Sequence, residues 1–158
     1  GATTGFPLWA AMGAKEEGGF SIGISPARNE EEHVHVYRLP TDYMDVLIYT
    51  GFGYSGRDIV FTNSGDAVFF GCGRIGTVHE FTVAFEEGKP IGVLQGDWFT
   101  DEVLQMIIDK GYRPNAKIVF DPDPKRLVEK VLDLVLKDRN HFIQRYKNFA
   151  PRPEDVHH

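Results

Sequence analysis

The sequence predicts a Rossmann-like α/β domain, three layers deep with a mostly parallel sheet, and three observations carry that reading. Apolar, β-branched runs of strand length alternate with segments whose apolar residues recur at helical spacing, the pattern of right-handed βαβ units. Glycine-rich turns at 1–5, 51–56 and 71–76 each lead into a helical pattern. The chain has 158 residues, 42% hydrophobic and 25% charged, which suits one soluble globular domain with a real core. In such sheets ligands bind beyond the carboxyl ends of the strands, so the turns at 1–5 and 71–76 and the helix start at Arg57 converge on one edge.

In chain order, Gly1-Ala-Thr-Thr-Gly5 has the composition of a turn that follows a strand, although no strand precedes it. A helix over 7–17 follows, with Pro7 in its first turn and Gly18-Gly19 at its end. Phe20 to Ser25 reads as a buried strand ended by Pro26. The acidic stretch 27–42, with Glu30-Glu31-Glu32 and His33-Val34-His35, reads as a short exposed strand or a loop over the site. Two histidines with no third ligand nearby point to solvated surface rather than a metal centre. Met44 to Thr50 is a strand, and the turn Gly51–Gly56 opens a helix from about 56 to 63, with Arg57 on its first turn. Ala67 to Phe70 is the central strand, followed by a helix over 77–87 with an apolar stripe of Val78, Phe81 and Phe85. After Gly88-Lys89-Pro90, Ile91 to Leu94 is a strand. Thr100 is placed to cap the helix 101–110, whose apolar face is Val103, Leu104, Ile107 and Ile108 and which Gly111 ends. Ala116 to Phe120 is the last strand, and Leu127, Val128, Val131, Leu132 and Val135 mark a closing helix. The domain is expected over 1–137, with a charged tail over 138–158 that holds Pro151 and Pro153 and ends in His157-His158, native residues or a tag remnant.

The chemistry gathers in the stretch Asp66 to Glu80. A strand that turns through Gly71, Gly73 and Gly76 into a helix start presents unpaired N–H groups and the positive end of the helix dipole, a natural seat for phosphate. The spacing is neither the dinucleotide fingerprint nor a Walker loop. Glu80 stands three residues after Thr77, the spacing of a capping box, so a plain helix cap is the structural alternative to a site carboxylate. His79 between them reads as a surface histidine.

Gly73 to Glu80 resembles the Pro-Gly-Gly-x-Gly-Thr-x-x-Glu signature of the Lonely Guy family, long labelled "possible lysine decarboxylase". Cys72 stands at the Pro and Arg74 at the second Gly, while Gly73, Gly76, Thr77 and Glu80 match. Arg57 falls where the family places its arginine, and Asp58 where the cytokinin-activating members have Lys. The segment Gly5 to Pro26 is similar to the family's glycine turn, helix and Gly-Gly-x-x-Ile-Gly-Ile-x-Pro strand, so the likeness runs in order over residues 1 to 136. It extends to the divergent molybdenum-cofactor-carrier-like members. The resemblance implies that an N-terminal βαβ part of the fold is missing, as in a fragment, a cleaved product or a shortened relative.

The resemblance implies a phosphoribohydrolase that splits the N-glycosidic bond of a nucleoside 5′-monophosphate into base and ribose 5-phosphate. Arg57 and Glu80 are then the catalytic candidates, and Thr3, Thr4, Gly5, Gly73, Arg74, Ile75, Gly76 and Thr77 the phosphate- and nucleotide-binding ones. No metal or other cofactor is called for, and nothing argues for a pyridoxal-phosphate lysine. The alternative is a non-catalytic protein that carries a nucleotide or a pterin-type molybdenum cofactor, which Arg74 and Cys72 favour. The family further implies a homodimer or higher oligomer, for which Ile59, Val60, Phe81 and Phe85 offer apolar surface. A net charge of −6 with no basic run argues against nucleic acid. One cysteine forms no internal disulfide, and with no apolar run of membrane length and no signal peptide the expected location is the cytoplasm.

Overall fold

The computed structural model describes residues 1–146, so Pro151, Pro153 and the His157-His158 end of the expected tail lie outside the described residues. Among the described residues the α-helices and strands follow in the order α1 (Phe6–Glu16), β1 (Ile22–Ser25), β2 (Val46–Tyr49), α2 (Gly53–Ser64), β3 (Val68–Phe70), α3 (Ile75–Glu86), β4 (Ile91–Leu94), α4 (Thr100–Lys110), β5 (Ile118–Asp121) and α5 (Pro124–Tyr146). Every strand pairing is parallel, as the βαβ alternation requires. Strands β1 and β2 pair with Ile24 opposite Ile48, while β3, β4 and β5 form a second group with Val93 opposite both Phe70 and Phe120. The sheet layer is therefore in two pieces, and among the described residues neither the outer edge of β1 nor that of β3 carries a strand.

The core lies on the three-stranded piece, where Val68, Phe70, Ile91 and Val93 meet Phe81, Ala84 and Phe85 of α3 and Leu104 of α4. Phe81 is fully buried between Phe70, edge-on at 5.5 Å, and Phe85, stacked at 5.7 Å. Phe81 and Phe85 are thus committed to the core, so two of the four residues expected to serve an oligomer contact are not available for it. On α2, Ile59 remains about half exposed.

Several boundaries differ from expectation, each for a local reason. Helix α2 begins at Gly53, three residues early, so Arg57 sits in the second turn and is buried rather than reaching over the sheet edge from the first. Helix α5 continues to Tyr146, past the expected start of the tail at Asp138, and Lys117 pairs with Asp138 at 2.7 Å along it. The acidic segment is neither strand nor open loop. It forms a π turn over Glu32–Val36 that buries His33 completely, so the expectation of a solvated His-x-His pair fails for its first member. The Ser25 hydroxyl and His33 Nδ1 share a hydrogen bond at 2.8 Å, and His33 Nε2 donates to the Pro40 carbonyl at 2.9 Å. Since a carbonyl only accepts, that bond puts a hydrogen on Nε2, and the two contacts anchor the segment on the end of β1.

Asp121, at the end of β5, is buried and accepts from Arg126, Lys130 and the Asp123 N–H. Those donors, Arg126 first and Lys130 next, hold its carboxyl well below the usual carboxylate range. A depressed carboxyl stabilises the fold above its unfolded-state value near 4 and loses that contribution as pH falls through the folded value. Asp121→Asn is therefore expected to unfold at lower denaturant than the wild type at pH 7, with the gap closing only below about pH 4. Urea titrations at pH 7 and pH 3 measure it.

Candidate functional site

The site is built where α2 and α3 lie side by side at the carboxyl edge of β3. Arg57 and Asp58 on α2 are 5% and 2% exposed, a degree of burial that charged side chains tolerate only when paired. The Arg57 guanidinium supplies the pairing. Its Nη1 donates to Glu80 Oε1 at 2.9 Å, and its Nη2 lies 3.2 Å from Asp58 Oδ1. Asp58 Oδ2 accepts from His79 Nδ1 at 2.8 Å. The four side chains form one chain of alternating partners, His79, Asp58, Arg57 and Glu80, across the two helices. Burial pushes the Glu80 carboxyl above the usual range, and Asp58 pushes it the same way while Arg57 opposes both.

Glu80 is not a helix cap. Helix α3 starts at Ile75 with Arg74 at the N-cap, and no side chain caps it. The capping box expected from Thr77 and Glu80 is displaced because both residues lie inside the helix. Thr77 instead turns back over the loop, so close to Gly73 that a Cβ there would overlap its hydroxyl. Gly73 is held from the other side as well. Thr100 Oγ1 accepts from the Gly73 N–H and donates to the Gly73 carbonyl, both at 3.1 Å. Thr100 was expected to cap its own helix, yet it clamps the β3–α3 turn to the start of α4. Only the tertiary approach of α4 reveals that role, since Thr suits either place. Gly73→Ala is expected to push Thr77 aside and weaken inorganic phosphate binding about tenfold, or about 1.4 kcal/mol, by titration calorimetry.

The nucleotide-binding candidates divide into two groups. Gly73, Arg74, Ile75, Gly76 and Thr77 form one continuous helix start, with Arg74, Ile75 and Gly76 exposed and the first-turn N–H groups of α3 aimed outward. Thr77 and Glu80 also line one end of a cavity of about 530 Å³ that runs between β1 and β3 and is walled by Ile24, Ile48, Val68 and Phe70. Thr3, Thr4 and Gly5 contribute less directly. The Thr3 hydroxyl donates to the Thr4 carbonyl, and neither threonine hydrogen-bonds Arg57 or Glu80. It is Gly1 that reaches the cluster, where a Cβ would overlap the Arg57 guanidinium. The sequence reading missed Asp58 and His79. It took the first as a lost positive charge and the second as plain surface, and their pairing becomes visible only when α2 and α3 are laid together. Among the described residues no three His, Cys, Asp or Glu side chains are grouped to hold a metal ion, and no helix is long and apolar enough to cross a membrane.

Comparison with known proteins agrees with this architecture. A family model described as the SLOG cluster4 family matches residues 1–128. An uncharacterized protein of Archaeoglobus fulgidus is 31% identical over 86 residues, 54% of this chain, and the chain spans about half (51%) of that relative's length. Among solved structures, the molybdenum cofactor binding protein of the phototrophic bacterium Rippkaea orientalis is similar, with a TM-score of 0.63 and 28% identity over 80% of this chain and 69% of that one. TM1055, a structural-genomics target, has a TM-score of 0.56 and 26% identity with the same coverage of both chains.

Proposed function

We propose the following function for this chain, which belongs to the SLOG cluster4 family: it binds a nucleoside 5′-monophosphate at the start of α3 and hydrolyses its N-glycosidic bond to free base and ribose 5-phosphate. The observation that carries the reading is the 2.9 Å Arg57–Glu80 pair, held at the edge of the same cavity as Thr77. Departure of the base leaves an oxocarbenium-like sugar, which asks for an anchored phosphate, a carboxylate near the ribose and a water to attack. Free N–H groups at the helix start and the Thr77 hydroxyl suit the phosphate. Glu80, pushed up by burial with Arg57 opposing that rise, suits a base that orients and deprotonates the water. Arg57 fixes Glu80 and keeps an Nε donor without a partner among the described residues. The apolar wall of the cavity suits a base or a hydrophobic substituent on it.

A second reading is a carrier that binds a nucleotide or a pterin-type molybdenum cofactor without turning it over. Arg74 favours it, as a large cation where the family signature has glycine, and so does the likeness to the Rippkaea orientalis cofactor-binding protein. One experiment separates the two. The protein is incubated with a panel of nucleoside monophosphates, free base is followed by chromatography, and co-purifying ligand is identified by mass spectrometry. Release of base from one member of the panel supports hydrolysis. Tight binding with no base released from any of them sinks it and leaves the carrier.

A further inference from the structure

Asp58 is buried in the cluster, yet the reaction proposed above gives it no part. Its two oxygens are unequally served. Oδ2 accepts from His79 Nδ1 at 2.8 Å, a bond that a neutral imidazole can already make. Oδ1 is enclosed and makes no hydrogen bond among the described residues, and Arg57 Nη2 faces it at 3.2 Å as an ion pair only. A buried acceptor without a donor is costly and calls for one. The candidate donor is Glu80. Its Oε1 accepts from Nη1 of the same guanidinium at 2.9 Å, and a single carbon joins Nη1 to Nη2, so the two carboxyl groups are neighbours. An ionised carboxyl only accepts, whereas a protonated one carries an O–H that donates. Two buried carboxylates on one guanidinium leave a negative charge uncompensated, and a proton on Glu80 removes it.

We propose that Asp58 is a positioning residue for Glu80: Asp58 Oδ1 receives the proton of the Glu80 carboxyl beside the Arg57 guanidinium, and so governs whether Glu80 stands as an acid or as a base. The inference rests on the reading of Glu80 as the base of the reaction, while the proton arrangement itself needs no reaction. Burial pushes the Glu80 carboxyl up and Arg57 opposes it. Asp58 adds to the rise, both by its charge and by accepting the Glu80 proton. As pH climbs, that proton leaves Glu80 for solvent and Asp58 Oδ1 loses its donor. Glu80 is then free to take a proton from water. The groups that face Glu80 are Arg57 and Asp58 on α2 and the nitrogen of Gly1, with His79 of its own helix beyond Asp58. All except residue 58 are the same in the two proteins compared below.

The test is a carbon NMR titration of the side-chain carboxyls in wild type and in Asp58→Asn. Asparagine keeps an acceptor for His79 Nδ1, removes the charge and places an NH2 where Oδ1 stood. The Glu80 midpoint is expected to fall by about one pH unit or more, at least about a tenfold change in its ionisation constant. The rising limb of base release against pH should move with it, which a merely structural role would not produce. In wild type alone, the Asp58 carboxyl carbon should shift at the Glu80 midpoint, because its donor is lost there, and this arm needs no variant to fold. The proposal is overturned by an unmoved Glu80 midpoint in a folded Asp58→Asn protein, or by an Asp58 carbon that does not respond at the Glu80 step. A limb that stays in place while Asp58→Asn still releases base overturns it too. With both titrations as expected, a nucleotide panel that yields no base removes only the hydrolase reading.

Discussion

Glu80→Gln is expected to bind a nucleoside monophosphate about as well as wild type and to release its base roughly two to four orders of magnitude more slowly, the size of a general-base contribution. The substitution keeps the length of the side chain, and the Gln carbonyl still accepts from Arg57 Nη1 while Nη2 keeps Asp58 as its partner. What disappears is the negative charge that takes the proton from water. Because α3 is capped by no side chain, the loss cannot be blamed on an uncapped helix, and the thermal midpoint should move little. The wild-type rate should rise with pH through the Glu80 titration, at a pH above the ordinary carboxylate value near 4.3, since only the ionised form is a base. The Gln variant should lack that limb. Single-turnover assays against pH, with binding measured separately by calorimetry, distinguish this from a general loss of fold.

Arg57→Ala is expected to cost about 3–5 kcal/mol of stability at pH 7, because it leaves Asp58 and Glu80 buried with no guanidinium between them. The sign of its pH dependence follows from the Glu80 shift. A carboxyl already raised by burial rises further when its cation is removed, so the deficit grows as pH climbs through the Glu80 titration and shrinks when Glu80 is protonated. Nucleotide affinity should fall with stability, since the Nε donor goes too. Arg57→Lys should recover only part of either, as one ammonium cannot bridge two carboxylates in the plane a guanidinium does. Urea unfolding at pH 5 and pH 8 reads the stability, and a wild-type midpoint for the Ala variant would show that the cluster is not the buried pair described.

The alternation of strands and helices was legible because it is written in local periodicity, and Ile91–Leu94 was placed to the residue. The Arg57–Glu80 pairing came from a motif likeness, since nothing in local spacing brings residues of two helices together. The misses share one physical cause, contacts made across long sequence separations. Thr100 looks like a cap until Gly73 is beside it. His33 looks solvated until Ser25 and Pro40 enclose it. Asp58 looks like a missing lysine until His79 is found on its far oxygen. The division of the sheet into two pieces was equally illegible, because a run such as Val68–Phe70 shows that it is a strand and not how many neighbours it has.

The ionic chain has a mechanical side. Two consecutive residues of α2 meet two consecutive residues of α3, Arg57 with Glu80 and Asp58 with His79. Consecutive helical residues point about 100° apart, so both matches hold only if the two helices touch along the line between those directions. Were α3 to slip by one residue, Glu80 would move toward Asp58, carboxylate against carboxylate, and Arg57 would lose its acceptor. The same four side chains that compose the site therefore act as a key that admits a single register of α3 on α2.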